Sequence, residues 1–205
     1  MLRKVDFKAM EIIKEKQKKK ENNRMNDWVR CVDRKLIYKG RILELYQDTV
    51  QIANGNVKKW DFIKHKGAAA IVPVLEDGRI LMVKQYRHAL DMDVYELPAG
   101  GRNSEEESFL DCATRELEEE TGYKSNKELK LLITLYTTVA FCNERIDVFI
   151  ADDLVKTEQN LDEDEKIDVE AYTLEELTDM VLAQKIVDSK TIAGLMAYRA
   201  YLDKN

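Results

Sequence analysis

The sequence predicts a mixed α/β fold in which helices cover a sheet, with a small antiparallel sheet ahead of it. Short apolar segments rich in Leu, Ile, Val and Tyr, separated by turn residues, dominate residues 35–85, a pattern typical of strands. Apolar residues at helical spacing mark residues 104–121 and two segments near the C-terminus. Strands interspersed with a few helices favour layers of helix packed on sheet.

Length and composition limit the class of protein. The 205 residues suffice for one catalytic domain with small appended elements. The net charge of -6 combines many charges of both signs, which excludes a dominant basic nucleic-acid surface. We divide the chain into residues 1–30, an N-terminal helix and polar segment, residues 31–66, the small antiparallel sheet, and residues 67–205, the main domain.

The sequence also indicates a compartment. The three cysteines lack paired Cys-x-x-Cys spacing, so we expect reduced thiols rather than a zinc or redox site. No apolar stretch reaches the length of a membrane span, and the lysine-rich start lacks the apolar core of a signal peptide. We therefore expect a cytoplasmic protein with no membrane partner.

The N-terminal elements follow from spacing and turn chemistry. Residues 1–23 place apolar side chains at roughly helical spacing, which predicts a short amphipathic helix. Residues 35–63 predict an antiparallel sheet that is broken at Gly40 and at an Asn54-Gly55 hairpin turn.

The main domain begins with two apolar runs, residues 68–75 and 80–85, and the turn residues between them predict a second hairpin. Pro98 and the glycines after it predict an irregular loop at residues 96–101. The remaining pattern predicts strands at 131–138 and 146–151, an acidic loop at 155–166, and helices at 174–183 and 191–202.

Residues 104–121 are the clearest predicted helix. Ser104 and Glu107 have the spacing of a capping box, and Gly122 stands at the usual stop position. At about 100° per residue, three glutamates, Glu116, Glu119 and Glu120, share one face.

These three carboxylates repel one another, and the last two lie near the negative end of the helix dipole. A hard divalent cation would offset that cost, and Mg²⁺ prefers such oxygen ligands. A solvated acidic helix face is the alternative that the spacing alone leaves open.

The wider pattern resembles the Nudix box, G-x5-E-x7-R-E-U-x-E-E-x-G-U. Gly101, Glu107 and the run from Arg115 to Gly122 match its fixed positions, with Tyr123 in place of the usual aliphatic residue. The resemblance implies an α/β/α sandwich with a mixed sheet and a Mg²⁺-dependent hydrolase, with Mn²⁺ as an alternative ion. It implies as metal ligands Glu116, Glu119, Glu120, the Ala99 carbonyl and, in an outer or bridging position that a capping role would equally explain, Glu107.

Arg115 and Glu119 are implied to be catalytic, Arg115 by fixing the orientation of the carboxylates. Outside the box, Gln85-Tyr86-Arg87 and Glu96-Leu97-Pro98-Ala99-Gly100 resemble the ADP-ribose pyrophosphatase branch. That resemblance implies that Arg87 binds phosphate and that Glu96 helps to arrange the site. It further implies a general base in the acidic loop, Glu165, with Glu163 as the alternative.

One segment departs from the branch. Where related enzymes carry Ser-Pro-Gly and then a glutamate, residues 138–144 read Thr-Val-Ala-Phe-Cys-Asn-Glu. The glutamate, Glu144, is kept, and the resemblance implies that it binds substrate, but the Pro-Gly is missing. The branch also implies a homodimer formed through the sheet at residues 31–66, an active site shared between subunits, and stacking of the base on Trp60 or Tyr46.

The expected substrate is a nucleoside diphosphate sugar, with ADP-ribose giving AMP and ribose 5-phosphate. Two alternatives stay open at the level of sequence. One is a Nudix hydrolase of another nucleotide, such as GDP-mannose, a dinucleoside polyphosphate or a nucleoside triphosphate. The other is a Nudix module that binds a nucleotide sugar without cleaving it.

Overall fold

A computed structural model describes residues 28–161 and 165–204, and the helix predicted at residues 1–23 lies outside these ranges. The chain divides into two compact units, of which the first extends to Lys64 and the second spans His65–Asp203. No helix among the described residues is long and apolar enough to cross a membrane.

The described part of the first unit is an antiparallel sheet of three strands in the order β1 (Val29–Lys39), β2 (Glu44–Ile52) and β3 (Val57–Lys64). Gly55 takes a positive φ of 86° in the turn between β2 and β3, and its N–H donates to the Ile52 carbonyl. Glycine adopts this left-handed conformation without steric cost. The antiparallel sheet and the Asn54-Gly55 hairpin are confirmed.

The second unit carries the remaining strands and helices. Its elements are β4 (Ala68–Pro73), β5 (Ile80–Arg87), β6 (Met92–Glu96), β7 (Ala99–Gly101), α1 (Phe109–Thr121), β8 (Tyr123–Ser125), β9 (Lys130–Tyr136), β10 (Arg145–Ala151), β11 (Leu154–Lys156), β12 (Ile167–Tyr172), α2 (Leu174–Leu182) and α3 (Ser189–Leu202). A four-stranded sheet has the order β7-β4-β10-β9, and a three-stranded sheet has the order β12-β5-β6. The four-stranded sheet is mixed, because β4 and β10 are parallel while β7 and β9 join antiparallel.

Alternating side chains of β4 and β10 bury both faces of the mixed sheet. On one face Ala69, Ile71 and Phe149 pack with Leu117 and other apolar residues of α1. On the opposite face a second cluster joins the sheet to α2 and α3. Its members include Ala70, Val72, Val148 and Ile150 of the sheet and Leu174, Leu177 and Leu195 of the two helices. Because successive strand residues point to opposite sides, one sheet separates two helical layers, and the predicted sandwich is confirmed.

The second predicted hairpin is confirmed only at its turn. The turn exists, since the Leu75 N–H donates to the Arg79 carbonyl at 2.8 Å, but only the bridge between Val74 and Ile80 joins its two arms. Beyond it β4 pairs with β10 and β7, whereas β5 pairs with β12 and β6. The apolar arms are buried in two different sheets instead of pairing with each other.

The predicted helix start and the loop before it also need correction. The helix begins after Ser108, whose hydroxyl oxygen accepts from the Asp111 N–H at 3.0 Å. Ser104 instead accepts from the Glu106 N–H in the preceding loop, so the capping box with Glu107 is not formed. Residues 99–101 form the short strand β7 rather than irregular loop, because their backbone pairs with Ala68, Ala69 and Ala70.

We expect the contact between α1 and the mixed sheet to stabilise the second unit strongly. Leu117 is fully buried there, whereas Leu182 at the end of α2 is 77% exposed. Leu117→Ala should lower the free energy of unfolding by about 2.7–5 kcal/mol because it leaves a cavity. Leu182→Ala, the matched control, should change it by less than about 0.5 kcal/mol. Urea denaturation followed by circular dichroism measures both, and equal effects would contradict this account of the core.

Candidate active site

Helix α1 turns two acidic side chains into the protein. Glu116 and Glu120 are four residues apart, so they lie one turn above the other on the same face. That face packs against β4 and β7, and the two residues are only 8% and 4% exposed. Glu119 lies at the edge of the same face with its side chain 34% exposed. Two buried carboxylates in adjacent turns concentrate negative charge beside the sheet.

Arg115 lies among these acids and binds three of them. Its Nε donates to Glu107 at 3.1 Å, and its Nη1 donates to Glu116 at 2.6 Å and to Glu119 at 2.8 Å. Its Nη2 donates to the carbonyl of Gly101 at 3.1 Å. Partial burial lowers the pKa of Arg115, but its hydrogen bonds to these carboxylates and their negative charge raise the pKa by more, so the net pKa lies above the ordinary value. Arg115 is therefore a fixed cation that orients the cluster.

Glu120 is held by the backbone instead. The Ala99 N–H donates to its Oε2 at 2.8 Å. Burial raises the pKa of Glu120 to about 8, helped by the charges of Glu116 and Glu165 and opposed by the Ala99 hydrogen bond. Burial likewise raises the pKa of Glu116, although Arg115 opposes the shift. Burial is the largest cause of both shifts, and a cation beside the two carboxylates would offset it.

Gly100 gives Glu116 the space it occupies. A Cβ built on Gly100 would lie 2.0 Å from Oε1 of Glu116, while a Cβ on Gly101 would meet nothing within 4 Å. The absence of a side chain at Gly100 therefore lets the carboxylate lie directly on the backbone of β7. The two adjacent glycines have different structural requirements.

Glu107 lies at the edge of the cluster. Besides binding Arg115, its carboxylate accepts from the Asn103 N–H. It thereby stabilises the loop before α1 and stands near the acids of the helix through their shared arginine. Its contacts are compatible with an outer position at a cation site.

A second charged cluster adjoins the first. Arg87 at the end of β5 binds Glu96 at the end of β6 through two parallel hydrogen bonds, Nε to Oε1 at 2.6 Å and Nη2 to Oε2 at 2.7 Å. Glu96 is 3% exposed and also accepts from Lys190 of α3. Burial raises the pKa of Glu96, but Arg87 and Lys190 lower it more, so the net pKa is depressed. Glu96 is thus an anion held between two cations.

Glu165 belongs to the first cluster by its charge. Its carboxylate contributes to the raised pKa of both Glu116 and Glu120, so it lies within electrostatic reach of each. Glu163, the alternative base, lies outside the described residues.

The other predicted site residues have separate surroundings. Glu144 accepts from the Thr137 hydroxyl at 2.7 Å and lies 3.5 Å from Nδ1 of His65. In the first unit, Tyr46 packs its ring near Phe62, while Trp60 is 48% exposed on β3. Among the described residues, no hydrogen bond or ion pair joins Glu144 to Arg115 or to the helix glutamates.

Sequence reasoning missed two groups near the site. The first is the start of α3, Asp188, Lys190 and Thr191, because the helix was predicted to begin at Thr191 and its cap was not recognised. The second is the segment after β11, where the Asn160 N–H donates to the Glu119 carbonyl at 3.0 Å and the Gln159 side chain donates to the Glu120 carbonyl at 2.6 Å. This segment satisfies the last carbonyls of α1, which have no partner within the helix.

The acids are not arranged as ready-made ligands. Within residues 28–161 and 165–204, no three Asp, Glu, His or Cys side chains form a group that could hold a metal ion. The cause lies in the contacts just described, since Arg115 draws Glu116 and Glu119 toward one nitrogen and the Ala99 N–H holds an oxygen of Glu120.

Known proteins share this arrangement of sequence and fold. The chain is 37% identical over 164 residues to ADP-ribose pyrophosphatase of Bacillus subtilis, covering 79% of this chain and 88% of that protein. It is also 37% identical over 161 residues to methanol dehydrogenase activator of Bacillus methanolicus, covering 78% and 86%. A crystal structure of an ADP compounds hydrolase has the same fold, with a TM-score of 0.76, 19% identity and coverage of 86% of this chain and 95% of that chain.

The family model of the NUDIX domain matches residues 64–193. That range contains the mixed sheet, the glutamate-bearing helix α1 and the start of α3. The buried face of α1 within that range carries Glu116 and Glu120. The chain belongs to the Nudix family.

Proposed function

We propose that this protein hydrolyses the pyrophosphate bond of a nucleoside diphosphate sugar, with ADP-ribose as substrate and AMP and ribose 5-phosphate as products. The observation that carries the proposal is the pair of buried carboxylates, Glu116 and Glu120, with raised pKa values beside an arginine suited to phosphate. The name of the Bacillus subtilis relative, ADP-ribose pyrophosphatase, supports the choice of substrate.

The oxygen donors of α1 and β7 suit a divalent cation in their chemistry, although Arg115 and the Ala99 N–H hold the carboxylates in this structure. We propose Mg²⁺, with Mn²⁺ as a substitute. Glu116, Glu119, Glu120 and the Ala99 carbonyl supply oxygen atoms only, which is the donor set that Mg²⁺ prefers. The buried acids need positive charge, and Gly100 leaves the space that the Glu116 carboxylate occupies. When bound, Mg²⁺ supplies charge neutralisation on the pyrophosphate and lowers the pKa of the attacking water.

Arg87 is proposed to bind a substrate phosphate. Two of its nitrogens hold Glu96, while Nη1 makes no hydrogen bond to any described residue. A guanidinium whose direction is fixed by a buried carboxylate loses little freedom when it binds a phosphate oxygen. Arg87 would thus hold the pyrophosphate against the acidic face of α1 without moving.

Glu165 is proposed to take the proton from the attacking water, with Glu163 as the alternative. A general base must be ionised and near the water it activates. Glu165 is exposed and within electrostatic reach of Glu116 and Glu120. The anchoring of Gln159 to the Glu120 carbonyl at 2.6 Å fixes the chain six residues ahead of Glu165 relative to α1.

We further propose a cytoplasmic homodimer formed through the first unit. The sheet and the residues beside it expose many large apolar side chains, which is typical of an interaction surface: Trp28, Val32, Leu36, Ile37, Tyr38, Ile42, Val57 and Trp60. A second copy of the same sheet would bury them in an isologous contact. Of the two aromatic residues considered for base stacking, Trp60 is the more exposed, since Tyr46 already packs near Phe62 and Arg34.

The substrate proposal predicts the outcome of a panel assay. Purified protein with Mg²⁺ should release AMP from ADP-ribose faster than it cleaves ADP-glucose, GDP-mannose, a diadenosine polyphosphate or a nucleoside triphosphate, and chelator should abolish the reaction. Glu120→Gln should lose most turnover while keeping its circular dichroism spectrum. Faster cleavage of another nucleotide would show that ADP-ribose is not the preferred substrate. This is the principal alternative, because the Pro-Gly of related enzymes is missing at residues 138–144.

A binding module without hydrolysis would give a different result in the same panel. No nucleotide would be cleaved, yet a nucleotide sugar would raise the melting temperature of the protein, because a ligand that binds only the folded state stabilises it.

The two glycines of β7 provide a matched test of the cation site. Gly100→Ala should push the Glu116 carboxylate aside and weaken Mn²⁺ binding about 10–100-fold. Gly101→Ala, whose Cβ meets nothing within 4 Å, should bind Mn²⁺ as the unchanged protein does. Isothermal titration with Mn²⁺ measures both, and unchanged affinity in Gly100→Ala would remove Glu116 from the ligands.

The general base is tested by charge removal in the acidic loop. Glu165→Gln should lower kcat for ADP-ribose by about 10²–10⁴-fold with a small change in KM, because proton transfer is lost while the phosphate contacts remain. Glu163→Gln is the matched control and should stay close to normal. The reverse result in steady-state kinetics would transfer the role to Glu163.

A further inference from the structure

Lys190 is the third charged side chain of the cluster at Arg87 and Glu96. Its ammonium donates to Oε2 of Glu96 and to Oδ2 of Asp188, the latter at 2.9 Å. Its side chain is 12% exposed. Oε2 of Glu96 therefore accepts from both Lys190 and Nη2 of Arg87.

The start of α3 fixes the place of Lys190. Asp188 caps the helix, and its Oδ2 accepts from the Thr191 N–H at 3.0 Å and from the Thr191 hydroxyl at 2.6 Å. The same Thr191 oxygen accepts from the Leu97 N–H at 2.8 Å. One turn of helix thus holds both the side chain of Glu96 and the backbone of the next residue.

Arg87 alone can balance the negative charge of Glu96, so charge balance does not explain the contact with Lys190. Glu96 already has a bidentate partner in Arg87, whose two hydrogen bonds measure 2.6 and 2.7 Å. A lone contact with Arg87 would leave the carboxylate free to turn about its side-chain torsions, and the guanidinium would turn with it. Lys190 is a second donor to Oε2 and restrains the carboxylate, so the direction of Arg87 depends on α3 as well.

We propose that Lys190 is a positioning residue that acts through Glu96 to aim Nη1 of Arg87, which donates to no described residue, at a phosphate of the substrate. The proposal rests on the function assigned above to Arg87. Lys190 touches neither the substrate phosphate nor the reacting atoms in this scheme. Its effect reaches the substrate only when Arg87 is present.

Kinetics of Lys190→Met test the proposal, because methionine keeps most of the side-chain volume and removes the charge. We expect KM for ADP-ribose to rise about 10-fold with a smaller change in kcat, because the charge-assisted hydrogen bond from Arg87 to the phosphate would be weakened. Lys190→Arg should recover part of the loss. Lys185→Met, an exposed lysine shortly before α3, is the matched control and should leave KM unchanged.

A double-mutant cycle separates positioning from general loss of stability. In an Arg87→Ala background, Lys190→Met should cause no further fall in kcat/KM, because the residue it aims is gone. A purely structural role would instead lower kcat/KM by the same factor in both backgrounds. Additive effects would overturn the proposal.

A readout without substrate separates this proposal from the proposed function. In protein labelled with ¹⁵N-arginine, the Nε–H signal of Arg87, identified by its absence in Arg87→Lys, should exchange slowly with solvent. Lys190→Met should make that exchange faster, and Lys185→Met should not. Unchanged exchange in Lys190→Met would refute the positioning role, whatever the panel assay gives.

Two further outcomes have a defined meaning for the positioning role. If the protein cleaves no nucleotide but Lys190→Met loosens the Arg87 signal, the assigned function fails and the positioning role stands. If Lys190→Met does not fold by circular dichroism, Lys190→Gln, which keeps a hydrogen-bond donor without the charge, takes its place in all three measurements with the same expected results.

Discussion

Arg115 holds negative charge at the buried face of α1, and the local structure depends on that interaction. Glu116 and Glu120 are 8% and 4% exposed, and like charges so close in a weakly polar setting repel strongly. The guanidinium binds three acids from one position because its donors form a rigid planar fork. Breaking a buried pair would leave a carboxylate uncompensated, which costs more than a surface ion pair does.

The segment from Glu96 to Gly101 is fixed from two sides by this charge arrangement. At one end α3 holds the Glu96 side chain through Lys190 and the Leu97 N–H through Thr191. At the other end Glu120 accepts from the Ala99 N–H. Between them the Pro98 carbonyl accepts from the Ile71 N–H of β4 at 2.9 Å. The segment thereby connects Glu96, the partner of Arg87, with the acids of α1 that are proposed to bind cations.

Such preorganisation suits the chemistry proposed for the site. Pyrophosphate hydrolysis needs positive groups placed beside the negative phosphates, and these groups should move little during the reaction. Arg87 and Arg115 are each held in place by carboxylates, and both side chains are only partly exposed to solvent. Burial raises the pKa values of Glu116 and Glu120, and a cation beside the two carboxylates would offset that effect.

The sequence by itself determined the mixed α/β class, the glutamate-bearing helix with its stop at Gly122, and the shared face of Glu116, Glu119 and Glu120. These follow from periodicity and turn chemistry, which act over a few residues. Only the tertiary structure decided where the helix begins. Ser104 and Ser108 each stand three residues before an acid, but Glu107 is taken by Asn103 and Arg115, so Ser108 becomes the cap.

The tertiary structure alone also decided which strands pair and which residues join the site from a distance. The sequence predicts the turn at residues 75–79, yet β4 pairs with β10, more than seventy residues along the chain. Burial of both faces of the mixed sheet outweighs the local pairing of a hairpin. Lys190 and Thr191 lie 94 residues from their partners Glu96 and Leu97. Contacts of that length depend on how whole layers pack, and no spacing within the sequence encodes them.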